Sequence, residues 1–352
     1  MTVQRFSGKA SVVFSLVMAA CFLPSFQSEA AAQYKVARLV SNQAGVAQVQ
    51  DPNLVNPWGI AFDPAGPFWV SDNGSGLSTL YTGTGAIQGL VVTVPPAAGT
   101  GAGTPTGIVE NTTTDFVVSQ NGKSGAANFI FATLDGTISG WAPSVNFSTA
   151  VVAVDNSGTG ASYTGLAIGV SSGANFIYAA DNVNDKVDMY DGHFNFVSSF
   201  TDPSIPPTFS VFNVQNLNGL LYVTYAGNNN AVGGFVDIFD TAGNFVRTFT
   251  SGGTLNQPWG LAIAPPSFGS LGNSVLVGNN TANGQIGAFS RSTGKLLGQL
   301  KLSSGQVIQI NQLWAIAFGA GNSQNGGKNT LFFTAGTGNY ANGLFGAITA
   351  VK

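Results

Sequence analysis

The chain has 352 residues, of which 47 are glycine, one is cysteine and one is histidine. A single histidine cannot form a two-histidine zinc motif, and a single cysteine cannot form a disulfide framework or a Cys-x-x-Cys redox site. With 12 basic and 15 acidic residues, the chain has no basic field for nucleic acid, so we expect no nucleic-acid partner. Because 44% of the residues are hydrophobic, we expect a folded protein.

The start of the chain is typical of a signal peptide. A basic region around Arg5 precedes an apolar run over residues 11–23, and three alanines at residues 30–32 supply the small side chains that a signal peptidase requires. The sequence therefore predicts a signal peptide over residues 1–32 and a single mature domain over residues 33–352. The apolar run is short for a membrane span, so we expect no membrane span and a protein that is secreted or periplasmic.

A lipoprotein signal is the alternative for the same segment. The run Met18-Ala19-Ala20-Cys21 places small residues before a cysteine, and lipidation would keep Cys21 as the mature N-terminus. However, apolar Phe22 and Leu23 follow where a polar tether is expected, which favours cleavage near Ala32 without lipidation.

Internal repeats dominate the rest of the chain. Six times an apolar strand led by glycine or its equivalent is followed by a turn and by a β-branched or aromatic strand that ends in small polar residues. The leading strands are at residues 56–62, 104–109, 163–168, 212–214, 257–263 and 313–318. Their predicted partners are residues 68–73, 116–121, 177–182, 221–225, 275–280 and 331–336. This pairing puts Gln120 and Asn121 at the end of a second strand.

Each unit also has a second half. Residues 187–191 and 236–240 are similar to each other, and each is followed by a turn and by Asn-Phe-Val, which indicates a third and a fourth strand. Six units of about 53 residues match the size of four-stranded blades. The sequence therefore predicts an all-β fold, a six-bladed β-propeller of four-stranded blades.

The ends of the chain predict how the ring closes. The sixth unit supplies three strands, the last over residues 343–351, while an unpaired β-like segment lies at residues 34–40. We expect this N-terminal strand to complete the last blade, because closure removes exposed sheet edges.

Several segments carry a family resemblance. They are residues 56–64, 68–74, 135–141, 255–262 and 343–346. Gly-Ile-Ala followed by an aliphatic strand ending in Asp-Asn resembles the NHL-type propeller repeat, and the chain from about residue 35 onward resembles a family of exported bacterial six-bladed propellers of uncharacterised function. The resemblance implies a fold and an export route. It implies no reaction and therefore no catalytic residue.

One face of such a propeller collects the candidate binding residues, because each inner strand starts and each second strand ends there, around the central channel. The candidates are Trp58, Trp259, Trp314, Thr106, Thr164, Asn73, Asn182 and Asn280. Indole rings stack on sugars and amides bond hydroxyl groups, which points to a glycan or another polyhydroxylated ligand. The alternative is that the tryptophans pack between blades and that the asparagines close turns by bonding local backbone groups.

Asp72 and Asp181 precede two of these asparagines and are the candidate metal ligands. With nearby amide oxygens they could offer Ca²⁺ the oxygen ligands that it prefers, although no EF-hand spacing occurs. Calcium-dependent six-bladed lactonases place Asn or Asp before the glycine of the inner strand, whereas this chain has Trp58, Thr106 and Thr164 at such positions. We therefore predict no cofactor, with Ca²⁺ as the one candidate.

Two further ionisable residues are predicted to lie away from the channel face. His193 falls in a turn between outer strands, and Glu110 follows the second inner strand toward the opposite face. Neither position suits a catalytic group in the channel.

Two functional classes follow from these residues. The favoured one is a monomeric, exported binding or scaffold propeller without catalysis, which recognises a glycan, peptide or cell-envelope protein at its channel face. The alternative is a calcium-dependent hydrolase or lyase with its site in the central channel. No G-x-S-x-G elbow, Walker loop or G-x-G-x-x-G motif occurs, so the choice between an enzyme and a binding protein stays open.

Overall fold

The computed structural model describes residues 1–5, 7–8, 33–97, 101–229 and 231–351. The chain divides into two compact units, Met1–Ala31 and Ala32–Lys352. The apolar run, Cys21 and the predicted cleavage position lie outside the described residues. All of the structure below belongs to the second unit.

The described part of the second unit is built from β-strands and two short 3₁₀ helices, Ser157–Thr159 and Gly269–Leu271. Neither helix has the length and apolar composition that a transmembrane span requires. Dense glycine, asparagine and β-branched residues favour strands and tight turns over helices, as the sequence indicated.

The first two strands of the chain are β1 (Gln33–Ser41) and β2 (Val49–Gln50). Blade 1 contains β3 (Pro57–Ala61), β4 (Phe68–Asp72), β5 (Leu77–Tyr81) and β6 (Val92–Thr93). Blade 2 contains β7 (Pro105–Glu110), then the inserted hairpin β8 (Val117–Gln120) and β9 (Lys123–Ala126), then β10 (Phe129–Thr133), β11 (Thr137–Trp141) and β12 (Val151–Asp155). Blade 3 contains β13 (Tyr163–Ser171), β14 (Ala174–Asp181), β15 (Lys186–Asp191) and β16 (Phe196–Phe200).

Blade 4 contains β17 (Phe209–Leu217), β18 (Leu220–Gly227), β19 (Gly234–Phe239) and β20 (Phe245–Ser251). Blade 5 contains β21 (Pro258–Ile263), β22 (Ser274–Asn279), β23 (Ile286–Ser290) and β24 (Leu296–Gln299). After β25 (Lys301–Leu302), blade 6 contains β26 (Leu313–Phe318), β27 (Thr330–Ala335), β28 (Leu344–Ala350) and β1. The six-bladed propeller of four-stranded antiparallel blades is thereby confirmed.

The ring closes as predicted. β1 pairs antiparallel with β28, from Tyr34 opposite Ala350 to Ser41 opposite Leu344, and so becomes the fourth strand of blade 6. The short strands β2 and β25 add to β1 in parallel. Because these segments cover the edge of β1, the last blade presents less open strand edge to other chains.

The predicted second strand of blade 2 is wrong. Residues 117–120 pair with β9 in a separate hairpin, and β10 pairs with the inner strand β7 instead. The hairpin turns at Asn121 and Gly122, whose φ angles are 51° and 76°. Asn-Gly suits a two-residue hairpin turn with positive φ at both positions, so the signal for this insertion is present in the sequence. Gln120 therefore lies at the hairpin end, where its side-chain oxygen accepts a hydrogen bond from Asn146 Nδ2 at 2.9 Å.

The inner strands approach one another closely because four of the six have glycine as their third residue. These glycines are Gly59, Gly107, Gly165 and Gly260. A Cβ atom on Gly59 would lie 2.6 Å from the carbonyl oxygen of Thr106 in the next blade. Blade 4 has Asn213 at this place, and its Nδ2 donates to the Trp259 carbonyl at 2.8 Å. The inner strands therefore form a narrow channel whose wall is mostly backbone.

The hydrophobic core lies between neighbouring blades. Between blades 1 and 6, the ring of Phe68 packs on Phe332 and Phe345 with centroids 4.5 and 5.6 Å apart, and all three side chains are fully buried. Similar clusters join the other blades. Packing of this kind makes each blade depend on both neighbours, which gives the channel face a rigid frame.

Candidate functional site

The three predicted tryptophans meet near the axis of the ring. Trp58, Trp259 and Trp314 are the second residues of β3, β21 and β26. The rings of Trp58 and Trp314 stack with centroids 3.5 Å apart, and Trp259 packs edge-on against them at 6.1 and 5.6 Å. Their exposed fractions are 6%, 3% and 2%. The indoles pack on one another and form a tryptophan plug at the channel face, and ligand stacking on them stays a prediction.

Two of the three indole N–H groups of the plug are bonded within the protein. Trp259 Nε1 donates to the carbonyl oxygen of Thr164 at 3.0 Å, from blade 5 to blade 3. Trp314 Nε1 donates to Asn56 Oδ1 at 3.0 Å. Trp58 Nε1 is buried and has no hydrogen-bond partner in the described part of the chain. The plug therefore couples blades across the ring and keeps one donor unused.

The two predicted threonines bond backbone groups. The hydroxyl of Thr106 donates to the carbonyl oxygen of Tyr163 at 2.7 Å, from blade 2 to blade 3. The hydroxyl of Thr164 donates to the carbonyl oxygen of Ala180 at 3.3 Å, within blade 3. Both side chains are buried, so they hold strands in place on the channel face.

Two of the predicted asparagines link successive blades. Asn182 Nδ2 donates to the carbonyl oxygen of Val211 at 2.7 Å, from blade 3 to blade 4. Asn280 Nδ2 donates to the carbonyl oxygen of Leu313 at 3.1 Å, from blade 5 to blade 6. The two asparagines occupy corresponding positions, so their recurrence reflects the same contact between blades. This contact differs from the local turn closure expected as the alternative.

Asn73 is the corresponding residue of blade 1, and its amide is less engaged. Its Oδ1 accepts a hydrogen bond from Asn56 Nδ2 at 3.1 Å. Its Nδ2 is buried and has no partner among the described residues. Blade 1 therefore contributes two unused donors, Asn73 Nδ2 and Trp58 Nε1, at the channel face.

Asp72 is fully buried in blade 1. Its Oδ2 accepts hydrogen bonds from the backbone N–H and the hydroxyl of Thr79, at 3.1 and 2.7 Å, whereas its Oδ1 has no partner among the described residues. Burial raises the pKa of Asp72 well above its usual range, although the bonds from Thr79 oppose the shift. A protonated carboxyl group is a poor metal ligand.

Asp181 closes the turn after β14 in blade 3. Its Oδ1 accepts hydrogen bonds from the backbone N–H groups of Ser162 and Asn184, at 3.0 and 3.3 Å, and its Oδ2 accepts one from Asn184 Nδ2 at 2.7 Å. The described part of the chain holds no group of three or more His, Cys, Asp or Glu side chains in a metal-binding arrangement. Asp72 and Asp181 are each bonded inside their own blade, and a calcium site built on them stays a prediction.

A cavity of about 430 Å³ opens on the channel face beside the plug, between blades 4, 5 and 6. We call it the mouth pocket, and its side-chain walls are Phe212, Asn256, Gln257, Asn280, Trp314 and Tyr340. The ring of Trp314 lies 5.8 Å from that of Tyr340 and 5.9 Å from that of Phe212, between centroids. Tyr340 is 38% exposed, so the pocket brings an accessible aromatic face next to amide groups.

The polar groups of the mouth pocket are only partly satisfied. The Tyr340 hydroxyl donates to Asn280 Oδ1 at 2.7 Å, and Asn280 Nδ2 is bonded to a backbone carbonyl, so both polar atoms of this amide have a partner. Gln257 Nε2 donates to the Gly227 carbonyl at 2.9 Å, and Asn256 Oδ1 accepts a bond from the Gly233 N–H at 3.4 Å. Among the described residues, Gln257 Oε1 and Asn256 Nδ2 have no hydrogen-bond partner, which leaves an amide oxygen and an amide nitrogen for a ligand.

Sequence reasoning missed Phe212 and Tyr340. Phe212 directly precedes Asn213, which takes the place of the inner-strand glycine, so it occupies the plug position in the degenerate fourth unit. An alignment of that unit with Trp58-Gly59 could have found it. Tyr340 lies in the loop between β27 and β28 with a φ of 68°, outside the strands on which the repeat was recognised.

A second cavity, of about 300 Å³, lies inside the ring and is lined mainly by inner-strand residues. Glu110, at the end of β7, is one of its lining residues, and burial together with the nearby Asp63 raises the pKa of Glu110 to about 6. The sequence predicted that Glu110 would not suit a group in the channel, whereas the structure makes it part of the wall of this cavity. His193 lies in an exposed turn, where its backbone N–H donates to Asp191 Oδ1 at 2.8 Å, as predicted.

No protein-family model matches this sequence. The solved structure of virginiamycin B lyase from Staphylococcus aureus is similar, with a TM-score of 0.51 at 14% identity, over 91% of this chain and 100% of that chain. At such low identity the similarity shows the fold alone.

Curated relatives come from a virus, whereas the resemblance carried by the repeats pointed to bacteria. One uncharacterised protein of Acanthamoeba polyphaga mimivirus is 28% identical over 336 residues, which is 91% of this chain and 86% of that protein. A second uncharacterised protein of the same virus is 30% identical over 330 residues, 90% of this chain and 80% of that protein. The similarity to the second protein extends through the propeller, and the chain belongs to its family.

Proposed function

We propose that this chain is a non-catalytic binding propeller that holds a glycan in the mouth pocket. The observation that carries the proposal is the accessible ring of Tyr340 beside the half-bonded amide groups of Asn256 and Gln257 in a cavity of about 430 Å³. Aromatic faces stack on the apolar faces of sugars, and amides bond their hydroxyl groups. The volume falls within the range of about 300–1,000 Å³ that is typical of small-ligand sites.

The plug supports this arrangement by making the pocket rigid. Trp314 forms one wall of the pocket and is held by ring stacking on Trp58 and by its hydrogen bond to Asn56. Since the plug is closely packed, a ligand would approach from the channel face and stack on Tyr340 and Phe212. A preformed wall lowers the conformational entropy that is lost on binding.

A glycan array probed with the full chain, followed by calorimetry with the oligosaccharide retained most strongly, tests the proposal. We expect Tyr340→Ala to weaken binding about tenfold, because stacking on one aromatic ring contributes about 1 kcal/mol or more. Phe245→Ala is the matched control, since Phe245 is an exposed aromatic residue on the outer strand β20. Retention of peptides in place of glycans, or equal binding by the Tyr340 variant and the parent, would contradict the proposal.

A calcium-dependent hydrolase or lyase is the second candidate, favoured by the unpartnered, buried Oδ1 of Asp72. In this alternative, Asp72 and Asp181 would ligate the ion in the channel region. Calorimetric titration of Ca²⁺ into chelator-stripped protein tests it, with Asp72→Asn as the variant. Saturable binding of about one ion per chain that the variant loses would support the metal centre. If the titration gives no heat of binding and Ca²⁺ leaves the melting temperature unchanged, the calcium-dependent alternative is contradicted.

We further propose that residues 1–32 direct export and are removed near Ala32, which leaves a monomer that meets glycans or proteins of the cell envelope. The support is the basic, apolar and small-residue order of this segment. Mass spectrometry of the N-terminus should find Gln33 as the first residue, and a lipidated Cys21 would establish the alternative. Analytical ultracentrifugation should give the mass of one chain.

A further inference from the structure

A cavity of about 880 Å³ lies between blades 5 and 6, and it shares no lining residue with the mouth pocket. We call it the interblade cavity. One wall is the ring-closing strand β1, and the others are the loop after β22 and the connection from β25 to β26. Its volume is in the upper part of the range of about 300–1,000 Å³ for small-ligand sites.

The inner part of the interblade cavity is apolar. Its floor includes Ile308, Ile310, Phe333 and Leu344, each of which is buried in the core cluster between blades 5 and 6. Val36 of β1 adds a half-covered apolar wall. The accessible apolar surface of the cavity comes from Val36, Val46 and Leu302, which line it without being fully buried. Such surface favours a hydrocarbon group over water.

The rim of the cavity carries one cation. Arg38 extends from β1, is exposed, and its guanidinium has no hydrogen bond or ion pair in the described part of the chain. The ion pair found among the described residues, Lys186 with Asp188, lies in blade 3. No Asp or Glu lines the cavity, so the positive charge of Arg38 is uncompensated there. The amide side chains of Gln43, Asn283 and Gln309 complete a polar rim.

We propose that the interblade cavity binds an amphiphile that has a single carboxylate headgroup and a linear hydrocarbon chain. The guanidinium of Arg38 can bond a carboxylate through two parallel N–H groups, which is the geometry that arginine favours. The hydrocarbon chain then lies against the accessible apolar side chains of Val36, Val46 and Leu302. A neutral or cationic amphiphile can also contact the apolar side chains of the cavity, but it leaves the positive charge of Arg38 without a counter-charge.

The position of the cavity also predicts an effect on stability. The ligand would touch both β1 and blade 5, so its binding requires that β1 be docked as the last strand of the ring. A ligand that binds the folded state alone raises the melting temperature with its concentration. Binding and ring closure should therefore be coupled.

The test uses decanoate, decanol and decyltrimethylammonium, each below its micellar concentration, with the full chain. Calorimetry measures affinity and differential scanning fluorimetry measures the melting temperature. Arg38→Gln removes the cation from the rim, and Val46→Phe fills the cavity from its wall. Arg291→Gln is the control, because Arg291 lines a separate surface groove between blades 4 and 5 and carries the same charge.

We expect decanoate to bind at about one molecule per chain and to bind at least about tenfold more weakly to Arg38→Gln, as loss of a charge-assisted bond predicts. Decanol should bind the parent and Arg38→Gln equally, Val46→Phe should lose decanoate binding, and the Arg291→Gln control should match the parent. The proposal is overturned if decanoate does not saturate, if decanol or the cationic amphiphile binds as tightly as decanoate, or if Arg38→Gln leaves decanoate affinity unchanged.

Discussion

Asp237→Asn should stabilise the protein increasingly as the pH rises from 4 to 8. Asp237 lies on β19 and is fully buried, and neither of its carboxylate oxygens has a well-formed hydrogen bond. Burial raises the pKa of Asp237 to about 7, the nearby Asp202 raises it further, and Thr248 opposes the shift. The corresponding Asp188 of blade 3 has Lys186 at 2.9 Å, whereas blade 4 has Phe235 at the position of that lysine.

The magnitude follows from linkage between protonation and folding. Because the pKa of Asp237 is raised in the folded state, the protonated carboxyl group favours folding. This contribution to the free energy of unfolding is fully present below pH 4 and is lost as the pH rises toward about 7. Each pKa difference of one corresponds to about 1.4 kcal/mol, so the change from the usual value of 3.8 to about 7 amounts to at most about 4 kcal/mol. Asparagine has no charge to bury and avoids this loss.

Urea unfolding at pH 5, 6, 7 and 8 measures the effect as the difference in free energy between Asp237→Asn and the parent. Asp240→Asn is the matched control from the same blade. At Asp240, burial raises the pKa, but hydrogen bonds from Asn244 and from backbone N–H groups outweigh it, and the pKa is lowered overall. The ionised carboxylate of Asp240 therefore stabilises the fold, and Asp240→Asn should lower the free energy of unfolding above pH 4. If the difference for Asp237→Asn is the same at pH 5 and pH 8, the argument from burial is refuted.

Three further predictions concern the ring itself. Deleting residues 33–41 should open the ring and unfold the protein, and an unchanged melting temperature would contradict this. Gly59→Ala should lower the free energy of unfolding by about 1–3 kcal/mol, because the new Cβ would lie 2.6 Å from a backbone oxygen of blade 2. In the control variant Gly89→Ala the new Cβ meets open space, so this variant should match the parent in urea unfolding. Trp58→Ala should cost about 3–5 kcal/mol through the cavity left in the plug, and a loss below about 1 kcal/mol in the same assay would show that the plug is not a packed element.

Repetition made the architecture predictable from sequence. Six copies of one pattern, a missing strand at the end of the chain and a spare β-like segment at Tyr34 predict a closed ring, and the pairing of β1 with β28 confirms it. The one strand placed wrongly, at residues 117–120, follows an insertion in blade 2. The Asn121-Gly122 turn signals that hairpin locally, while residues 116–121 also match the repeat pattern of a second strand.

The candidate site was less predictable, because the repeat aligns residues without showing what they contact. Asn182 and Asn280 recur for the same reason that the glycines recur, which is contact with the next blade. Phe212 and Tyr340 form much of the mouth pocket, yet Phe212 lies where the repeat is degenerate and Tyr340 lies in a loop outside the repeated strands. Positions that depart from a repeat are free to form a site, and a search for recurrence overlooks them.

Apart from the second strand of blade 2, the sequence by itself determined the inner strands, the number of strands per blade and the way in which the ends of the chain meet, because these depend on short-range patterns and on the count of units. Only the tertiary structure decided that the tryptophans form a plug. Trp259 bonds the Thr164 carbonyl and Trp314 bonds Asn56, contacts that span 95 and 258 residues of sequence. Closing six blades into a ring brings equivalent positions together at the axis, and no local pattern reports whether side chains that converge there fill the space or leave it open to a ligand.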